Sequence, residues 1–71
     1  MMPMPLAPVG DELMVRRVSG NPKVRTHLEN LGFVAGATVI VISEIAGNLI
    51  VNVKESRVAI DKEMAMKIFV Q

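Results

Sequence analysis

The apolar residues of this chain follow a helical spacing in one stretch and strand-like spacings in several others. Val24, Leu28 and Leu31 recur at i, i+4 and i+7, which places them on one helix face, and the residues between them are polar. Asn21 suits the N-cap of this helix, and Pro22 suits its first position because a proline there loses no hydrogen bond. The pattern predicts a helix that begins at residue 22 and ends near residue 31.

Two glycines specify how this helix ends and how the chain turns afterwards. Gly32 follows the last apolar residue of the stripe, where a left-handed C-cap favours glycine, and Phe33 is placed for the apolar contact that often accompanies such a cap. Ala35–Gly36 predicts a turn with the flexible residue second, and the β-branched run Val39–Ile42 begins soon after it. We therefore assign structural roles to Asn21, Gly32 and Gly36.

Short apolar and β-branched runs elsewhere, separated by turn residues, predict strands. The connections after the helix are too short for parallel crossovers, so they favour an antiparallel meander. Gly47–Asn48 is the predicted reversal in one connection, and Lys54–Ser56 is the turn in the next. Asp61 can cap a single helical turn that ends at Met64 or Ala65. The predicted strands are residues 12–18, 38–43, 49–53, 57–60 and 67–70.

These runs predict a mainly β fold with one short α-helix. The run 38–43 is apolar on both faces, so we expect both of its faces to be covered. Five short, partly apolar strands favour a small closed barrel, because closure leaves no exposed edge. Pro3, Pro5 and Pro8 should prevent regular pairing at the start of the chain, where we expect residues 1–5 to be flexible and Leu6 to be the one residue that docks.

Composition limits the kinds of protein that the chain can be. Its 71 residues form one domain, near the lower size limit for a single core. The absence of cysteine excludes disulfides and thiolate-bound zinc, and a single histidine leaves little for a nitrogen-rich metal site. The net charge is +1 with acids and bases interspersed, so no strong field indicates nucleic acid or an anionic membrane. Because no apolar run approaches ~18 residues and no basic leader is present, we expect a soluble cytoplasmic domain.

The residues from the helix into the following strand resemble those of a known family. The pattern Leu28-x-x-Leu31-Gly32-Phe33-x-x-Gly36-x-x-Val39 is similar to that of the FeoA family, small cytoplasmic SH3-like barrels associated with bacterial ferrous iron uptake. Arg25 matches an arginine near the start of the family's helix. Members usually carry proline before the second glycine, where this chain has Ala35. The match covers almost the whole chain and is supported by Leu6, Gly10, Val51-x-Val53, Val58-Ala59-Ile60 and Ala65-x-x-Ile68.

The resemblance implies a fold, a partner and a role. It implies a single SH3-like domain over residues 1–71, a five-stranded antiparallel barrel capped by a helix, with no enzymatic activity and no cofactor. It also implies a monomer or weak homo-oligomer that binds FeoB, the membrane ferrous iron transporter with a cytoplasmic G-domain, and helps set its assembly or activity. A similar module ends some iron-dependent repressors, but no DNA-binding helices precede this copy, which favours the transport accessory.

The residues themselves indicate no catalytic or metal site. With one histidine and no cysteine, the serine hydroxyls lack an obvious base and orienting group for acyl transfer, so we expect no enzyme. His27 and Glu29 diverge by about 200° on a helix and cannot easily share one metal ion. We therefore predict a solvated His27 and no native metal site. The six methionines fit gap-filling better than soft-metal binding.

A protein-binding surface beside the helix is the stronger prediction. We expect Leu28, Leu31 and Phe33 to contact the partner, with Arg25 and His27 at the rim. A place in the core fits Leu28 and Leu31 equally well. The alternatives are a direct ferrous iron sensor or a regulatory or nucleic-acid-binding module. Against nucleic acid, no aromatic residues interleave with the small basic set Arg16, Arg17, Lys23 and Arg25.

Overall fold

Six antiparallel strands, one α-helix and two short helical turns make up the fold, as a computed structural model of residues 1–71 describes it. All neighbouring strands pair antiparallel, in the order β1-β6-β2-β3-β4-β5. A 3₁₀ turn, Met4–Leu6, follows the first strand. The elements are β1 (Met2–Pro3), β2 (Glu12–Val18), α1 (Pro22–Asn30), β3 (Thr38–Ile45), β4 (Asn48–Val53), β5 (Ser56–Ile60), α2 (Lys62–Ala65) and β6 (Ile68–Val70).

The predicted mainly β fold with one short helix is confirmed, and the strand count is six. The five predicted strands are present, each within about two residues of its predicted bounds. The sheet order leaves β1 and β5 as edges without a hydrogen-bonded partner on one side. The turn α2 contacts both β4 and the 3₁₀ turn.

The start of α1 forms as its sequence predicts. The Asn21 side chain accepts a hydrogen bond of 2.9 Å from the backbone N–H of Val24, and Pro22 occupies the first turn. These groups satisfy a free N–H and preset the helical backbone. Asp61 does the same for α2, where its carboxylate accepts from the N–H of Met64 at 2.8 Å. Both helices thus begin at a side-chain cap.

The end of α1 is a Schellman motif built on Gly32. The Gly32 N–H donates to the Glu29 carbonyl at 2.9 Å, and the Phe33 N–H donates to the Leu28 carbonyl at 3.1 Å. Gly32 has φ +109°, a conformation that glycine adopts without strain from a Cβ. Leu28 and Phe33, joined by the second bond, are both fully buried. The predicted glycine cap is confirmed, and both apolar residues lie in the core.

The turn that follows ties the helix to the sheet. The Ala37 N–H donates to the Val34 carbonyl at 2.9 Å, and Gly36, third in the turn, has φ +91°. This is the geometry of a type II turn, which favours glycine at that position. The Gly36 N–H also donates to the Val15 carbonyl at 2.8 Å. The predicted role of Gly36 is confirmed, and the turn is anchored on β2.

The β3–β4 reversal differs from the predicted Gly47–Asn48. Ile45 pairs with Asn48, so the two-residue connection is Ala46–Gly47. Both residues have positive φ, +53° for Ala46 and +85° for Gly47. Two-residue hairpins favour this backbone because its twist matches that of the strands. Alanine rarely adopts it, which is why the sequence pattern placed the reversal one residue late.

The first eight residues also differ from the prediction. Leu6 was expected to dock but is 69% exposed, whereas Met4 is 0% exposed and belongs to the core. Regular pairing does occur, since Met2 and Pro3 pair with Val70 and Phe69. An edge strand of two residues tolerates proline, because the missing N–H can lie on the unpaired side. The flexibility of residues 1–5 stays a prediction.

The core is aliphatic, as the composition predicts, with one aromatic residue. The strand β3 turns Val39 and Val41 into it, while Ile40 and Ile42 on the other face remain partly exposed. The expectation that β3 is fully covered on both faces was therefore wrong. No helix is long and apolar enough to span a bilayer. The core residues are Met4, Ala7, Val15, Leu28, Phe33, Val39, Val41, Leu49, Val51, Val53, Ile60, Ala65, Ile68 and Val70.

Candidate partner-binding surface

The five residues predicted to contact a partner divide into a buried pair and an accessible group. Leu28 and Phe33 are each 0% exposed and pack in the hydrophobic core. Leu31 is partly buried against that core, and Arg25 and His27 are exposed. Leu28 therefore lies in the core, which is the alternative that the sequence left open for it. In this conformation a partner can reach Arg25, His27 and part of Leu31.

The accessible residues lie on two flanks of α1. Residues two apart on a helix differ in direction by about 200°, so Arg25 and His27 point to opposite flanks. His27 and Leu31 are four apart and lie on the same flank, which also carries Lys23 four residues earlier. Arg25 shares the other flank with Glu29. The surface beside the helix thus consists of a Lys23–His27–Leu31 flank and an Arg25–Glu29 flank.

The chemistry of the surface is limited to exposed charges and apolar contacts. The structure has no pocket and no group of three or more histidine, cysteine, aspartate or glutamate residues close enough to hold a metal ion. Every buried side-chain nitrogen and oxygen has a hydrogen-bond partner. Four side-chain hydrogen bonds are formed, and each of them caps a helix or links strands or segments.

A pair that the sequence analysis did not predict lies on the outside of the sheet. The Arg17 guanidinium sits 4.7 Å from the centroid of the Phe69 ring, within the range of a cation–π interaction. β2 and β6 bring these residues together by pairing Arg17 with Phe69. The two residues are far apart in sequence, so no local pattern indicates the contact. The sequence indicates only that Phe69 points away from the core, because side chains alternate along residues 67–70.

The rolled antiparallel sheet with a helix held over its end defines a small SH3-like domain, and comparisons with known proteins agree. The FeoA domain model matches residues 2–71. A Methanocaldococcus jannaschii protein, provisionally named Fe(2+) transport protein A, is 31% identical over 71 residues, which are 100% of this chain and 87% of that protein. The chain therefore belongs to the FeoA family, which is involved in Fe(2+) transport.

Two solved structures confirm the fold. A crystal structure of the iron uptake regulatory protein FeoA has a TM-score of 0.91 at 28% identity, covering 99% of this chain and 95% of that one. The FeoA of Stenotrophomonas maltophilia in complex with zinc, described as a prokaryotic SH3 domain protein, has a TM-score of 0.85 at 25% identity. That match covers 100% of this chain and 91% of the other. The family resemblance and the SH3-like fold class are both confirmed.

Proposed function

We propose that this chain is a non-enzymatic accessory protein of ferrous iron uptake that acts in the cytoplasm. In this role it binds the cytoplasmic region of a FeoB-type membrane transporter and modulates its activity. The observation that carries the proposal is membership of the FeoA family over residues 2–71. A surface without a pocket or a metal-ligand cluster supports a binding role over catalysis.

The proposed contact surface is the exposed side of α1. His27 and Leu31, on one flank, offer a polar group beside a partly exposed apolar side chain, a combination common at the edge of protein interfaces. Arg25 contacts the partner from the opposite flank, so a partner that engages both must straddle the helix. Leu28 and Phe33 do not contact the partner in this proposal. They support the surface because they are buried in the core and fix the helix there. This division assigns two roles to the five predicted residues.

A calorimetric titration with single variants tests this surface. The purified chain is titrated with the soluble cytoplasmic region of the transporter encoded by the same organism. We expect the variants His27→Ala and Arg25→Ala each to weaken binding, by about fivefold if the side chain contributes about 1 kcal/mol. Arg57→Ala is the matched control, since Arg57 is an exposed basic residue on β5 outside α1.

The outcomes separate the partner from the surface. If the wild-type chain gives no binding heat at high partner concentration, and a fluorescently labelled chain also shows no binding to the partner, the proposed partner is wrong. If binding occurs and the control weakens it as much as the helix variants do, the surface is wrong. Anaerobic titration with Fe²⁺ tests the alternative of direct sensing, which requires saturable binding that is lost in the His27→Ala variant.

A further inference from the structure

The outer face of strands β1, β6 and β2 is left uncovered by the rest of the chain. Along β6, Ile68 and Val70 are fully buried, so Lys67 and Phe69 lie on the opposite, outward side. In the neighbouring β1, Pro3 pairs with Phe69 and lies on the same outward side. These three residues remain partly exposed.

An irregularity in β2 concentrates positive charge on this face. Val15 is fully buried, and the pairing of β2 with β6 shifts register between Val15 and Arg17. Such a bulge adds one residue to the strand, so Arg16 and Arg17 are both exposed. A regular strand would have turned one of these two side chains toward the core. The bulge therefore presents two guanidinium groups at the same point of the sheet.

Arg17 is held over an aromatic ring, and no carboxylate side chain forms a hydrogen bond with the cations of this face. Arg17 lies over the Phe69 ring, and the Lys67 stem passes within 3.3 Å of the position that a Cβ on Gly20 would take. No guanidinium or ammonium group of this face bonds to a carboxylate, since the side-chain hydrogen bonds involve other residues. The stretch 13–28 contains no aspartate or glutamate. The near-zero net charge of the chain thus conceals a local excess of positive charge.

Exposed apolar side chains lie beside these charges. Met14 is 41% exposed, and its backbone exchanges two hydrogen bonds with Gln71, at 2.8 and 3.0 Å. Met1, which is 70% exposed, precedes the pairing of Met2 with Val70 and so reaches the same end of the strands. We call this outward surface the β2–β6 face, formed by Met1, Met14, Arg16, Arg17, Lys67 and Phe69.

We propose that the β2–β6 face binds the headgroup surface of an anionic lipid membrane. Cations next to exposed apolar side chains match such a surface, where phosphates attract the cations and methionines enter the boundary with the acyl chains. The face has no pocket, as expected for a broad planar partner. Single-stranded nucleic acid fits less well, because Arg17 already occupies one side of the only aromatic ring there. The inference holds whether or not the chain binds the transporter.

Vesicle co-sedimentation tests this inference with the full chain. Vesicles contain either phosphatidylcholine alone or phosphatidylcholine mixed with phosphatidylglycerol. We expect binding to the mixed vesicles at low salt, little binding to phosphatidylcholine, and steep weakening as salt rises. The double variant Arg16→Glu/Lys67→Glu keeps the contact of Arg17 with Phe69 and should bind at least about tenfold more weakly.

A second double variant controls for net charge. Lys54→Glu/Arg57→Glu lowers the net charge by the same amount on the β4–β5 hairpin, away from the face, and should bind within about twofold of wild type. Circular dichroism checks that both variants are folded. The inference is overturned if wild type does not bind the mixed vesicles, or if both double variants lose binding equally. Poly-glutamate and an oligonucleotide are added as competitors for the vesicles. The inference is also overturned if either one displaces the chain when its total negative charge is lower than that of the lipid, since the chain would then prefer that polymer.

Discussion

Replacing Leu28 with alanine tests how firmly the helix is held on the sheet. Leu28 is the only fully buried residue of α1, and Val24 on the same helix is partly buried against the core. Leucine-to-alanine changes in cores reduce stability by about 2–5 kcal/mol, from lost burial and from the cavity that remains. Natural domains have about 0.05–0.15 kcal/mol per residue, or about 4–10 kcal/mol for a chain of this length. The variant should therefore lose a large part of its stability.

Urea unfolding followed by circular dichroism measures this loss. The midpoint should fall with little change in slope, because the surface exposed on unfolding is nearly the same. On heating, the melting temperature should fall by roughly 8–40 °C, at about 4–8 °C per kcal/mol for a domain of this size. Leu28→Asp should leave no folded protein, since an unpaired buried charge adds several kcal/mol more.

The matched control for Leu28 is Leu31, one turn later on the same helix side. Leu31 is only partly buried, so Leu31→Ala should reduce stability by about 1 kcal/mol. An equal or larger loss in Leu31→Ala than in Leu28→Ala would refute the packing argument. A folded Leu28→Asp variant would show that this side chain can leave the core, and the surface role first considered for it would regain support.

Four further substitutions test backbone positions by urea unfolding. Gly32→Ala and Gly36→Ala both place alanine at positive φ, which costs about 1–2 kcal/mol, but only at Gly32 would the Cβ press on Val53 at 3.2 Å. Gly32→Ala should thus lose about 1 kcal/mol more, and equal losses would contradict this. Ala35→Pro should add about 0.4–1 kcal/mol, because a type II turn favours proline there; destabilisation would disprove the assigned turn. Ala46→Asn should add about 0.5 kcal/mol by relieving the positive φ, and no gain would indicate that the strain is absent.

The sequence predicted best where local chemistry determines the structure. Asn21, Gly32 and Gly36 each fit a backbone geometry that few other residues satisfy, and all three positions are as predicted. The hairpin at Ala46 was placed wrongly because the backbone there is set by strand twist and not by the residue type. Residue types thus locate a turn reliably only where the residue in the turn intrinsically favours the backbone conformation that the turn requires.

Long-range features could not be predicted from the same patterns. Met4, not Leu6, enters the core, and a proline-rich segment has no periodicity that would distinguish the two. The contact of Arg17 with Phe69 depends on the register between the second and last strands. For the candidate site, the helix was predicted correctly, but the burial of Phe33 depends on packing that only the assembled sheet reveals.

The most direct test of the proposed function is amide chemical-shift mapping of the ¹⁵N-labelled chain with the transporter's soluble cytoplasmic region. We predict saturable shift changes concentrated on α1, at residues 23–31. Unchanged spectra at high partner concentration, or changes that spare α1 altogether, would contradict the account.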